Sequence, residues 1–197
     1  MEIRLLNDRE LAEVYRTQLI PSFPETELRP LEAIRELVRQ GKYRPYGLTD
    51  GGEILGEAFL WDCAPGWRLF DYLCVSPARR NGGLGAALIA ALMKAEQGCI
   101  IFGESEAPEY APDPDMARRR LDFYRRSGAR QAHYLAAVFG VPYHVLYWAE
   151  GKIDEAELME AHQSAYRGRL SEKAFQRFIR IPWDISMGMP EKHPWEE

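Results

Sequence analysis

Leu69-Phe70-Asp71-Tyr72-Leu73-Cys74-Val75-Ser76-Pro77-Ala78-Arg79-Arg80-Asn81-Gly82-Gly83-Leu84-Gly85-Ala86-Ala87-Leu88 is the stretch that decides the fold. Its first seven residues are mostly apolar and read as a strand covered on both faces. Ser76-Pro77 ends the strand, because proline has no N–H to give to a ladder. A loop with two arginines follows, running into Gly82, Gly83 and Gly85. Leu84, Leu88, Leu92 and Ala95 then recur with the 3.6 period of a helix, with Ala91 beside them. A strand, a glycine-rich loop and a helix start together make a holder for phosphate. The first helical N–H groups lack intrahelical partners and carry partial positive charge, and glycine lets an anion reach the backbone.

Three anion-binding patterns compete for this loop. A P-loop requires Lys and then Ser or Thr after its last glycine, and the sequence has Gly85-Ala86-Ala87 there. A dinucleotide fingerprint starting at Gly83 lacks its third glycine, which is Leu88; Glu104 lies at a spacing suited to a ribose, so this alternative stays open. The third pattern is Arg80-x-x-Gly83-x-Gly85 after Val75-x-Pro77. It resembles motif A of the GCN5-related N-acetyltransferases (GNAT), in which such a loop wraps the pyrophosphate of acetyl-coenzyme A. Phe123-Tyr124-Arg125-Arg126-Ser127-Gly128-Ala129 is similar to a second family pattern, with Ala129 where Phe is commoner.

The element order inferred around these motifs agrees with the resemblance. Glu2–Leu6 alternates as a strand. Asn7 with Glu10 forms a capping box for a helix to about Leu19. Pro30–Gln40 reads as a helix closed by Gly41. Tyr43–Leu48 and Ile54–Trp61 read as strands about the hairpin signal Asp50-Gly51-Gly52. Cys99–Glu104 is a buried strand, Asp113-Pro114 caps a helix through Arg126, and Arg130–Val138 and Tyr143–Ala149 close as strands. The resemblance implies an α/β fold: a central mixed, mostly antiparallel sheet flanked by helices, over residues 1–150. Residues 151–197 form a C-terminal extension, with helices capped at Asp154 and Ser171. From Pro182 onward, Pro, Gly and charge predict poor order unless the tail docks.

Composition bounds the rest. The 197 residues suit one domain with an appendage; they are 46% hydrophobic and 28% charged, with net charge −5. The acid excess disfavours nucleic acid as a partner. Cys63, Cys74 and Cys99 are odd in number and widely spaced, which reads as reduced thiols in a cytoplasmic protein. No apolar run reaches the ~20 residues of a membrane span, the first residues lack the apolar core of a signal peptide, and the histidines show no metal-ligand spacing. No metal, membrane or nucleic acid is therefore expected.

Acyl transfer from a thioester to an amine needs a base for the amine proton, a donor for the oxyanion, a proton for the leaving thiolate and close positioning. The resemblance implies acetyl-CoA as cosubstrate and a small primary amine as acceptor. It assigns the backbone of Arg80, Asn81, Gly82, Gly83, Leu84, Gly85 and Ala86 to the pyrophosphate. It pairs the main chain of Leu73, Cys74 and Val75 with the pantetheine arm. Tyr124 matches the family tyrosine that protonates the thiolate, and shares a helix face with Ala117 and Leu121. Base candidates are Asp71 and Glu104, then Glu106 and Glu57, or a water relay. A carboxylate inside an apolar strand, such as Asp71, is expected to have a raised pKa unless partnered. Two function classes remain: an N-acetyltransferase, and an acyl-CoA-binding sensor without turnover. Family members are often dimers, so a second copy of the chain is a candidate partner.

Overall fold

The computed structural model describes residues 1–24, 27–76, 79 and 82–192. Pro77, Ala78, Arg80 and Asn81, which carry part of the loop motif, lie outside the described residues. The strands form one eight-stranded sheet in the order β1-β2-β3-β4-β5-β7-β6-β8. Every strand pair whose register is described is antiparallel.

The chain divides into two compact units. The first comprises Met1–Asp62 and Phe70–Gln97, the second Cys63–Leu69 and Gly98–Glu197. In the first, β1 (Glu2–Leu5) pairs with β2 (Tyr43–Asp50), and β2 with β3 (Glu53–Ala64). Gly51 and Gly52 join β2 to β3 with φ of 55° and 88°. Both positive values are what a two-residue hairpin loop of this hand demands. Strand β4 (Trp67–Val75) enters this unit at Phe70.

Helix α1 (Asp8–Val14) starts on the expected capping box: Glu10 N–H donates to Asn7 Oδ1 at 3.0 Å and Asn7 N–H to Glu10 Oε2 at 2.9 Å. The helix expected to reach Leu19 as one piece instead widens to a π-helical turn over Tyr15–Leu19 and ends in α2 (Ile20–Ser22). Helices α3 (Leu31–Arg39) and α4 (Leu84–Ala95) complete the unit. Its core holds Leu11, Leu19, Ile34, Phe59, Leu60, Leu88 and Leu92, all at 2% exposure or less. Burying such side chains contributes roughly 1.5–3 kcal/mol each.

In the second unit, β5 (Ile100–Glu106) pairs with β7 (Val141–Trp148), β7 with β6 (Arg130–Val138), and β6 with β8 (Ile179–Trp183). Helix α5 (Pro114–Arg126) opens on Asp113, whose side chain accepts from Met116 N–H, with Pro114 in its first turn. Helices α6 (Glu155–Arg167) and α7 (Glu172–Phe178) start on Asp154 and Ser171, as their capping residues predict. The segment after Pro182 docks: Trp183 Nε1 donates to Gly188 O at 2.8 Å, and Arg177 pairs with Glu191 at 2.8 Å. Phe102, Val145, Leu158 and Phe178 anchor this core, each at 2% exposure or less.

Candidate active site

In the first unit, β4 delivers the glycine-rich loop to α4. Ser76 N–H donates to Leu55 O at 3.0 Å, and Arg79 N–H to Ser76 O at 2.8 Å. Gly83 caps α4 with φ 76° and ψ 0°, a left-handed conformation that side chains with a Cβ resist. The first turn, Leu84-Gly85-Ala86-Ala87, has no acid and no side-chain cap. By contrast, α1, α5, α6 and α7 are each capped by a side chain, and α3 has Glu32 in its first turn. Helix α4 thus leaves its N–H groups and the positive end of its dipole open to an anion. Among the described residues, apart from its chain neighbours and the helix's own backbone, nothing lies within 4 Å of where a Gly83 Cβ would stand. Gly82, Gly83, Leu84, Gly85 and Ala86 run into the start of α4, and Arg80 and Asn81 lie outside the described residues.

A second close approach was not visible in sequence. A Cβ on Gly56 would stand 2.7 Å from the carbonyl oxygen of Cys74 and 3.3 Å from Val75 Cα. Only glycine allows β3 this near to the end of β4, the segment assigned to the pantetheine arm.

Asp71, on the same strand, is engaged. Its Oδ2 accepts from Arg29 Nε at 2.9 Å and from the Tyr43 hydroxyl at 2.5 Å. Burial works against the Arg29 charge, but Asp71, Tyr43 and Tyr72 outweigh it and the net shift of its pKa is upward. Burial first, then Asp71, hold Tyr43 well above its ordinary range, so it remains a donor. Tyr72 receives Arg29 N–H at 2.9 Å and donates to Glu27 O at 2.8 Å, and Arg29 stacks 5.0 Å over Trp61. Asp71 and Tyr72 therefore fasten residues 27–29 to β4.

Glu57 on β3 is wholly buried, and neither carboxylate oxygen meets a described partner in good hydrogen-bond geometry. Burial pushes its pKa up to about 8, and the Cys74 thiol offsets a part of that rise.

In the second unit, Glu104 on β5 is the centre of a polar cluster. His162 Nε2 lies 2.7 Å from Glu104 Oε1, and the Tyr166 hydroxyl donates to Glu104 Oε2 at 2.8 Å. Tyr134 OH lies 3.2 Å from His162 Nδ1. These partners set the tautomer: a carboxylate facing Nε2 puts the proton there and leaves Nδ1 to accept from Tyr134. Burial, then Glu104 and Glu155, raise the Tyr134 pKa and keep that hydroxyl protonated. His162 is fully buried, while 15% of the Glu104 side chain remains exposed.

Tyr124 on α5 packs edge-on against Trp148 with centroids 6.0 Å apart. Burial raises its pKa above the ordinary 10.0, opposed by nearby Arg120. Among the described residues its hydroxyl has no hydrogen-bond partner. Trp148 is in register with Ile101, and Val145 with Glu104. Ile101 and Glu104 are three residues apart, so alternation puts Tyr124's packing partners and Glu104 on opposite faces of the sheet.

Among the described residues, no group of three or more His, Cys, Asp or Glu side chains is arranged to hold a metal, and no helix is long and apolar enough to cross a membrane.

A family model described as an acetyltransferase (GNAT) domain matches residues 42–128. A GNAT-family protein from Bacteroides thetaiotaomicron shares 23% identity and a TM-score of 0.66, over 83% of this chain and 95% of that one. The ribosomal-protein-S18-alanine N-acetyltransferase of Escherichia coli matches at 15% identity and TM-score 0.58, over 78% and 96% of the two chains. An aminoglycoside 6'-N-acetyltransferase complexed with coenzyme A matches at 16% identity and TM-score 0.55, over 78% and 100%. No curated protein matches the sequence. At these identities the solved structures speak for the fold.

Proposed function

We propose that the chain belongs, through residues 42–128, to the GNAT acetyltransferases, and that it moves the acetyl group of acetyl-CoA directly to a primary amine of a small molecule. The observation that carries this is the bare, glycine-started N-terminus of α4 at the end of β4, a phosphate holder with no competing acid. Similar folds act on spermidine, on the alanine of a ribosomal protein and on aminoglycosides. All three acceptors present a primary amine, and the net charge of −5 suits a cationic one.

Each step has a residue. The backbone N–H groups of Gly82 to Ala86 hold the pyrophosphate, and the main chain of Leu73 to Val75 aligns the pantetheine arm and supplies the oxyanion donor. Glu104 takes the amine proton as the C–N bond forms. The C–S bond then breaks, and Tyr124, which packs on the sheet face opposite to that of Glu104, gives its proton to the departing thiolate from that other side. Asp71 anchors residues 27–29 through Arg29. The proposed location is the cytoplasm, whose reducing conditions suit a chain with three widely spaced cysteines, Cys63, Cys74 and Cys99. A homodimer is the proposed assembly, to be read by light scattering.

The test is release of free thiol from acetyl-CoA with spermidine, kanamycin or an alanyl peptide. Turnover with at least one amine is expected. A clear thermal shift with acetyl-CoA but no turnover would establish the sensor alternative instead.

A further inference from the structure

The Glu104 cluster draws two of its members from outside the matched domain. His162 and Tyr166 sit on α6, well beyond residue 128 where the family match ends. They are four residues apart, one helical turn, so both point from α6 to the same carboxylate. Phe102, two residues before Glu104 on the same strand face, packs against the His162 ring at 5.4 Å. Helix α6 therefore lies over the face of β5 that presents Glu104.

We propose that His162 and Tyr166 are positioning residues for the reaction, so that the C-terminal extension completes the catalytic base. This rests on Glu104 being that base. The imidazole donates to Oε1 at 2.7 Å, and the phenol faces both oxygens, 2.8 Å from Oε2 and 3.0 Å from Oε1, which together fix the plane of the carboxylate. With about four lone-pair sites, the carboxylate keeps acceptor capacity beyond these two donors, and the exposed 15% of the side chain is the way in for an amine. Tyr134 locks the imidazole from behind through Nδ1. A purely structural clip between α6 and β5 has no need of this chemistry, because apolar side chains of similar volume stabilise a buried contact as well as an ionic cluster does.

Double-mutant cycles in the full-length protein separate the two roles, with spermidine tried first as acceptor, then kanamycin, then the alanyl peptide. His162→Leu should lower kcat by about 10²-fold with the KM for acetyl-CoA unchanged, as expected when a reacting group is misplaced. His162→Gln restores a donor near the Nε2 position and should recover most of that loss. Tyr166→Phe removes only a hydroxyl and should lower kcat about tenfold, which keeps the proposal testable if His162→Leu does not fold. In a Glu104→Gln background neither substitution should lower kcat further, because both act through Glu104. Losses that multiply with that of Glu104→Gln, or full activity in both α6 variants beside an inactive Glu104→Gln, would overturn the positioning role and leave Glu104 as base. A fully active Glu104→Gln would overturn the base assignment itself and this inference with it. Absence of turnover with all three amines would remove the proposed function and the inference together.

Discussion

Glu57→Gln should stabilise the protein, and by an amount that grows with pH. The native carboxyl has a pKa of about 8 against an ordinary 4.5, because burial in β3 disfavours the charged form. Between those values the folded chain keeps a proton that the unfolded chain has lost. Stability from this group is therefore complete below about pH 4.5 and declines as pH rises towards 8, by about 1.4 kcal/mol per pH unit. At pH 7 the accumulated cost is on the order of 3 kcal/mol. Glutamine has the shape of the protonated acid and does not titrate, so it removes the slope. The assay is urea unfolding of wild type and Glu57→Gln at pH 5.5, 6.5 and 7.5. Taking the difference between the two cancels groups that titrate alike in both. The gap should widen by roughly 2–3 kcal/mol across that range. Parallel stability curves, or a gap that shrinks with pH, would show that Glu57 is already ionised in the native state and has a partner or water to sustain its charge.

Gly83→Asn keeps a residue tolerant of the left-handed backbone but sends a side chain into the open space beside the α4 N-terminus. Its melting temperature should stay within a few degrees of wild type while acetyl-CoA affinity, read by calorimetry, falls at least about tenfold; unchanged affinity would make the loop a mere turn. Asp71→Asn leaves the Arg29 guanidinium buried without its carboxylate and should cost about 3–5 kcal/mol in urea unfolding, whereas a lost kcat at unchanged stability would restore Asp71 as the base. Tyr124→Phe should lower kcat by roughly 10²-fold with little change in acetyl-CoA affinity, and flatten the alkaline limb of the pH–rate profile. Wild-type turnover from pH 6 to 10 would reduce Tyr124 to packing.

Local signals carried most of the fold. Asn7 with Glu10, Asp113-Pro114, Asp154 and Ser171 are caps readable within four residues, and each one starts a helix. Strand β4, Gly83 and the start of α4 were legible for the same reason, because they follow one another in the chain. Nothing in Tyr15–Leu19 marks the π-helical turn. The tail from Pro182 reads as loose by composition unless docked, and its Trp183 and Glu191 find partners close by in the fold.

The site was legible only as far as each residue's role depends on its neighbours in sequence. Asp71 and Glu104 both look like lone acids on apolar strands, and composition cannot rank them. What separates them is long-range: Arg29 and Tyr43 reach Asp71 from 42 and 28 residues away, while His162 and Tyr166 reach Glu104 from 58 and 62. The Arg29 guanidinium brings a full opposite charge to Asp71, whereas the imidazole and the phenol fix the plane of Glu104 by hydrogen bonds. One trace of this was in the sequence. On α6 the core positions are Leu158, Ala161 and Ala165, and His162 and Tyr166 lie among them on the buried side. Two polar side chains on an apolar helix face require buried partners. The strand opposite that face had to supply an acceptor, and on β5 the acceptor is Glu104.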